Sequence, residues 1–300
     1  MKRDCAAMHR LLSRSHAFTL LELMVALGIL VILVGIIVPK VSRLREVEQR
    51  VCCRDNLRRI GLALSAYGEE NRGELPRVIY DQAHAPRSFT AFTGADALSP
   101  FTKDSAVAAN DVTASLWLLI RGGYIKEPVS AVFICPSSGG TPDPMLDAHG
   151  SPTAIRWRSN FRSPNHLSYS YASPFSDAQG YGLKSDFLEP KFVLLADRNP
   201  GKGPSQDVTA PTPEAPPMTM RIANSRNHGQ AGQNVLYGDI HADFCETVYC
   251  GVDGDNIYTA QTDQPVMTGQ APTANVRGFL GRNIGPAWPT DSYLVPAEGY

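Results

Sequence analysis

The chain of 300 residues is 43% hydrophobic and 19% charged, and its formal net charge is −1. This composition is typical of a globular protein that is long enough to bury a sizeable core. The balanced charge argues against a disordered polyelectrolyte and against a basic surface for nucleic acids. We therefore expect no nucleic-acid partner.

The first predicted element is an apolar run at residues 18–38, in which Glu22 is the only ionisable residue. A helix of this length covers about 30 Å, the thickness of a bilayer's hydrocarbon core. Residues 1–17 carry four basic side chains and one acidic one, and the positive-inside rule places such a segment in the cytoplasm. A secretory signal has its small-residue cleavage site after the apolar core, whereas Ala17 precedes it. The pattern predicts a retained single-pass span in the cytoplasmic membrane, with the rest of the chain outside.

This N-terminus resembles that of type IV prepilins, which type IV pilins and type II secretion pseudopilins share, in the run Ala-Phe-Thr-Leu-Leu-Glu-Leu at residues 17–23. The resemblance implies that a prepilin peptidase, which is also an N-methyltransferase, cuts between Ala17 and Phe18 and methylates Phe18. Ala17 stands where the family usually has glycine. Pro39 lies where many pilins carry a helix-kinking proline. The leader would then be residues 1–17 and the span residues 18–38.

The isolated carboxylate of Glu22 needs a partner, because a charge inside a span costs roughly 2.5–3.5 kcal/mol on insertion scales. Cleavage would leave an ammonium on Phe18, which could pair with Glu22 of a neighbouring subunit in a helical bundle. Other pilin-like subunits are therefore expected as partners. The alternative is a plain signal anchor with an incidental glutamate.

The span is predicted to continue into an amphipathic helix over residues 39–72, bent at Pro39. Its apolar side chains recur at intervals of mostly three and four residues. They are Val41, Leu44, Val47, Val51, Leu57, Ile60, Leu64 and Tyr67. Residues 73–300 would form an extracytoplasmic head.

Within the head, residues 115–124 have the pattern of a short helix, and residues 131–136, 167–172 and 191–196 have that of strands. Residues 233–244 read as a hairpin whose two-residue turn, Gly238-Asp239, would pair Tyr237 with Ile240. The predicted fold class is α+β, with a long N-terminal helix packed on an antiparallel β-sheet head, as in pilins. The runs at residues 53–64, 133–137, 195–200 and 227–241 resemble those of planctomycete-type pseudopilin-like proteins, which carry a C-terminal His followed by a strand and Asp-Gly. Here Asp239 is followed by Ile240 instead of glycine.

Two places in the head have metal-ligand residue types. His228, Asp239, His241 and Asp243 form a His/Asp set around the predicted hairpin; the alternative is hydrogen bonding that fixes the hairpin. Asp253 and Asp255 lie in a stretch that resembles a fragment of a calcium loop, and some major pseudopilins bind calcium near their C-terminal end. The glutamate of an EF-hand is absent, and an Asp/Gly/Asn-rich turn without calcium is the alternative.

The cysteines allow one local pairing. Cys245 and Cys250 are close enough in sequence for a disulfide, which an oxidising exterior would permit, and buried free thiols are the alternative. No C-x-x-C occurs, so neither a zinc ribbon nor a thioredoxin-like motif is predicted.

No common hydrolase, metalloprotease or nucleotide-binding motif occurs, so we expect a structural protein rather than an enzyme. The favoured interpretation is a type II secretion pseudopilin that also contacts inner-membrane components of the secretion system. The alternatives are a type IV pilin for adhesion, motility or DNA uptake, and a membrane-tethered extracytoplasmic enzyme or metal-binding module.

Overall fold

The computed structural model describes residues 19–82, 84, 87–89, 101, 107–126, 129–146, 155–176, 180–201, 211–260, 286 and 289–295. The chain divides into two compact units, residues 1–45 and residues 46–300. The second unit holds the described sheet and its core.

Helix α1 comprises Leu20–Glu70, and its helical backbone continues through residue 39. Among the described residues, α1 is the one helix that is long and apolar enough to cross a membrane. Its most apolar window has a mean hydropathy of 3.0, and none of that window is buried in the structure. Arg72 and Gly73 have φ values of 57° and 81°, and this left-handed backbone ends the helix close to the predicted stop.

Five strands in the described part of the chain form one antiparallel sheet. They are β1 (Tyr169–Ala172), β2 (Val193–Asp197), β3 (Gln233–Tyr237), β4 (Ala242–Cys245) and β5 (Leu294–Val295). The strand order is β4-β3-β2-β1-β5. Every residue of β1, β2 and β3 is buried, so the centre of the sheet is covered on both faces.

Two helices contribute to this core. The part of α1 within the second unit buries Cys53, Leu57, Ile60 and Leu64, whose three- and four-residue spacing forms one helical face. Helix α2 (Val112–Arg121) is buried over nine of its ten residues. The short α3 (Pro217–Met220) lies between β2 and β3 in sequence. The predicted α+β, pilin-like architecture is confirmed.

Three local expectations were wrong. Residues 131–136 are not a strand, because Ala131–Phe133 form a 3₁₀ turn. The apolar stripe of α1 is not buried along its whole length, since Val47 and Val51 are 58% and 43% exposed. Sequence periodicity identified the apolar face but not the residue at which burial begins.

The third wrong expectation concerns the register of the hairpin. Leu236 pairs with Ala242 and Val235 pairs with Asp243, which is one residue out of the predicted register. The turn holds three residues rather than two, with Ile240 at φ 68° and the Tyr237 N–H donating to the carbonyl of His241. A residue in the left-handed region is typical of three-residue hairpin loops.

Candidate functional site

The start of α1 is closed by a reciprocal pair of side chains. The Glu22 N–H donates to Oγ1 of Thr19 at 3.2 Å, and the Thr19 N–H donates to Oε2 of Glu22 at 2.9 Å. The Thr19 hydroxyl also donates to that carboxylate oxygen at 3.0 Å. This is a capping box, which satisfies N–H groups that a helix start leaves unpaired. Within one chain, Glu22 therefore fixes the first turn of the apolar helix.

The structure describes only part of the other predicted processing and assembly residues. Ala17 and Phe18 lie outside the described residues, and Pro39 is described only as part of the α1 backbone. Cleavage after Ala17, methylation of Phe18, a bend at Pro39 and pairing of Glu22 with a neighbouring ammonium stay predictions. The capping role of Glu22 was missed, although the spacing Thr-x-x-Glu is its sequence signature.

His228 lies in the tight turn that precedes β3. Its φ is 56° and that of Gly229 is 60°, so two successive residues adopt left-handed backbone, which is unusual for a residue other than glycine. The ring is buried at 2% exposure. Its Nδ1 lies 2.9 Å from Oε1 of Glu46 on α1, and its Nε2 lies 3.4 Å from Sγ of Cys135.

Asp197 ends β2 beside this ring, and its carboxylate is held by several donors. The Asn227 amide donates to Oδ1 at 2.9 Å, and the Asn234 N–H donates to Oδ2 at 2.7 Å. The Cys53 thiol, from α1, donates to Oδ1 at 3.1 Å. A buried carboxylate is costly unless it is hydrogen-bonded in this way.

These contacts bring four potential ligands together: Cys53, Cys135, Asp197 and His228. Their ligand atoms all lie within 4.8 Å of one another, and all four residues are buried. Among the residues that the structure describes, this is the one such group of three or more His, Cys, Asp or Glu side chains. We call it the Cys/His/Asp group.

The surroundings shift the proton affinities within this group in different directions. Burial, more than any other cause, raises the pKa of Cys53 well above its usual value. Hydrogen bonding with Cys53 lowers the pKa of Cys135 against the opposing effect of burial. Burial alone would lower the pKa of His228, but the hydrogen bond with Cys135 and the charge of Asp197 raise it to about 9. The surroundings therefore favour the protonated, positively charged form of the His228 ring.

The structure does not bring the predicted set of His228, Asp239, His241 and Asp243 together, and metal binding by these residues stays a prediction. Asp239 and His241 bond to each other in the exposed hairpin turn, and the Asp243 carboxylate accepts the Phe244 N–H at 2.8 Å. The length of β3 separates this turn from His228. His228 instead faces ligands from elements distant in sequence, which single-segment patterns do not reveal.

The calcium prediction concerns two differently placed carboxylates. Asp253 is exposed at a φ of 53°, whereas Asp255 is buried and its Oδ2 accepts the Ser292 N–H at 2.9 Å. Calcium binding there stays a prediction.

The predicted disulfide also stays a prediction. Cys245 and Cys250 are both free thiols in the structure. They are close enough to hydrogen-bond to each other, and this bond lowers the pKa of Cys245. The Tyr237 hydroxyl lies 3.2 Å from Sγ of Cys245.

Comparison with known proteins places a motif on the N-terminal segment. Residues 12–38 match the family model described as the prokaryotic N-terminal methylation motif. The match covers the predicted cleavage junction, the capping box and the apolar part of α1, and it is consistent with a prepilin-like or pseudopilin family. The motif implies processing by a prepilin peptidase and pilin-like assembly. Neither the curated proteins nor the solved structures contain a match to this chain.

Proposed function

We propose that this chain is a structural subunit that a prepilin peptidase cleaves after Ala17 and methylates on Phe18, and that it assembles with other pilin-like subunits through α1. The observation that carries the proposal is the methylation motif at residues 12–38. Residues 20–38 of this motif belong to α1, and their apolar side chains are exposed. Leu21 and Leu30, for example, are 72% and 55% exposed. Such an apolar surface is unfavourable in water and is typical of a helix that lipid or another helix covers.

Two features fit assembly better than simple anchoring. Glu22 lies in the apolar segment and would be costly there without a partner. The capping box bonds its carboxylate to Thr19 at the start of α1, and in the sequence Thr19 directly follows the residue that would carry the new ammonium. A neighbouring subunit could therefore meet a carboxylate whose position is already fixed.

The finer proposal is a type II secretion pseudopilin, located in the cytoplasmic membrane with its head outside. The resemblance of the runs at residues 53–64 and 227–241 to pseudopilin-like proteins supports it. A type IV pilin is the alternative, because both classes use the same N-terminal segment. Deletion of the gene should reduce export of extracellular proteins and leave surface pili intact; the reverse outcome would favour the pilin.

Processing provides the direct test of the general proposal. The full chain is co-expressed with an active prepilin peptidase, and the intact mass of the membrane-bound protein is measured. We expect a methylated chain that begins at Phe18, whereas Ala17→Glu should remain uncut because a bulky charge replaces the small residue. An intact Met1 start in the presence of active peptidase would overturn the proposal.

A further inference from the structure

We propose that Cys53, Cys135, Asp197 and His228 bind one zinc ion in the core of the head. This inference is independent of the proposed assembly role, because the four ligands lie in the second unit and none belongs to the methylation motif.

The spacing of the ligand atoms fits a tetrahedral ion. Zinc–sulfur bonds of about 2.3 Å and zinc–nitrogen or zinc–oxygen bonds of about 2.0–2.2 Å place neighbouring ligand atoms roughly 3.3–3.8 Å apart. Nε2 of His228 lies 3.4 Å from Sγ of Cys135 and 3.4 Å from Oδ2 of Asp197. Sγ of Cys53 lies 3.1 Å from Oδ1 of Asp197. The two Asp197 contacts use different carboxylate oxygens, and the four ligand atoms lie within 4.8 Å of one another. Side chains would therefore have to shift by up to about 1 Å to reach tetrahedral spacing.

The ligand types select the kind of metal. Two sulfurs and an imidazole favour zinc over calcium or magnesium, which prefer oxygen ligands. The exposure of the four residues ranges from 0% to 2%, so no coordination position faces bulk water. A closed set of four protein ligands is typical of structural zinc rather than catalytic zinc.

The surrounding residues are arranged as they are around metal-bound histidines. A ligating histidine usually donates its second ring N–H to a carboxylate, which orients the other nitrogen toward the metal. Glu46 is that carboxylate, 2.9 Å from Nδ1 of His228. Without metal, the Asn234 amide lies 3.0 Å from Nε2 and also 3.3 Å from Oδ2 of Asp197. The amide would give up the first contact to the ion and keep the second.

The charges and protons balance. Binding would release the two thiol protons and the proton that a charged His228 ring carries on Nε2, leaving two thiolates, one carboxylate and a neutral imidazole around a divalent ion. The remaining negative charge is offset by N–H donors on Asp197, which come from Asn227 and Asn234.

The expected consequence is a link between separate parts of the fold. Cys53 belongs to α1, Cys135 follows the 3₁₀ turn at Ala131–Phe133, Asp197 ends β2, and His228 precedes β3. Because an ion that binds only the folded arrangement stabilises it, zinc would hold α1 against the sheet.

The test measures metal in the full chain. Protein in detergent is incubated with zinc under a thiol reductant, desalted and analysed for metal content, with about one zinc per chain expected from a four-ligand site. Cys53→Ser should lose the ion. Cys52→Ser is the matched control, because Cys52 is the exposed neighbour on the same helix and should keep it. Glu46→Gln should bind about 10–100-fold more weakly, as expected when the orienting partner is weakened.

A second measurement does not depend on any variant folding correctly. Cobalt(II) bound to the unmodified chain should give tetrahedral absorption bands together with thiolate-to-cobalt charge transfer. Absence of metal from the reduced chain would overturn the proposal, as would equal metal content in folded Cys53→Ser and Cys52→Ser. Peptide mapping that finds a Cys53–Cys135 disulfide in chain isolated from native membranes would overturn it as well, because the bond consumes both thiolates.

Discussion

At the scale of single residues, Glu22 combines a local role with a proposed intermolecular one. Its carboxylate accepts two bonds from Thr19, so it stabilises the start of its own helix before any neighbour arrives. Glutamine can fill the same capping position as glutamate, but it has no charge with which to attract an ammonium. The two roles can therefore be separated by substitution.

We expect Glu22→Gln to retain membrane insertion and the capped helix but to weaken cross-linked oligomers, because the ammonium of Phe18 loses its partner. Thr19→Ala should remove the cap, which costs about 1 kcal/mol of helix stability, and should leave the oligomers in place. Site-directed cross-linking in membranes measures the abundance of oligomers for both variants. Oligomers as abundant in Glu22→Gln as in the unmodified chain would contradict the charge pairing.

A second residue-scale feature is the ion pair between Asp143 and Arg158, whose side chains are 1% and 0% exposed. The two guanidinium–carboxylate contacts measure 2.7 and 2.8 Å, and the Arg162 N–H also donates to the carboxylate at 2.9 Å. Burial alone would raise the pKa of Asp143, but these hydrogen bonds lower it overall. The pair is a bidentate one that lies inside the head.

Arg158→Met should destabilise the protein by about 3–5 kcal/mol, because it leaves a buried carboxylate without its counter-charge. Arg58→Met is the control: Arg58 makes a 3.7 Å contact with Asp55 at the surface, and exposed pairs contribute roughly 0–1 kcal/mol. Thermal unfolding, monitored by tryptophan fluorescence, gives the melting temperature of each variant. Equal melting temperatures for the two variants would show that the buried pair contributes no more than the surface one.

At the scale of elements, α1 packs closely against the sheet at Gly61. A Cβ added there would lie 3.0 Å from side-chain atoms of Leu236 on β3 and of Ile240 in the hairpin turn. The absence of a side chain at residue 61 thus lets the helix pack directly on β3. Ile240, despite its left-handed backbone, packs against the core.

Gly61→Val should destabilise the protein by about 1–3 kcal/mol, since the added methyl groups overfill a packed contact. Leu62→Val on the exposed face of α1 is the control, because Leu62 is 64% exposed and the change costs only a few tenths of a kcal/mol in helix propensity. Chemical denaturation of both variants provides the comparison. A stabilised Gly61→Val chain would mean that the helix can move away from β3 without penalty.

These contacts also explain which features could be predicted from the sequence. Alternation of residue types located β1, and a continuous apolar run located β2, each to within two residues of the observed start, because both patterns are local. The observed hairpin register has a three-residue turn whose Ile240 packs against the core, and such packing between distant segments is not visible in the local pattern that favoured a two-residue turn. The Cys/His/Asp group depends on contacts such as that between Cys53 and Asp197, which are 144 residues apart. Only the folded chain brings such residues together.

At the scale of the whole molecule, residues 46–300 form a compact unit with their own core and sheet. This unit holds the buried face of α1, from Cys53 to Leu64, together with α2 and all five described strands. We expect a fragment that begins at Glu46 to be soluble and folded, because apolar burial there does not need the membrane segment. A single cooperative thermal transition would support this expectation, and an aggregated fragment without one would contradict it.

That fragment also permits a test of calcium binding. Asp255 is a poor residue to change, because its carboxylate holds the Ser292 N–H and its loss would destabilise the fold with or without calcium. Asp253 is exposed, so Asp253→Asn removes one charge and leaves that internal bond in place.

If calcium binds here, millimolar calcium should raise the melting temperature of the unmodified fragment, since a ligand that prefers the folded state stabilises it. The rise should shrink in Asp253→Asn. His241→Ala should keep the full rise, because His241 bonds to Asp239 within the hairpin turn and not to residues 253–256. No rise with calcium would leave residues 253–256 as a turn whose geometry comes from its own backbone, with Asp253 in the left-handed region.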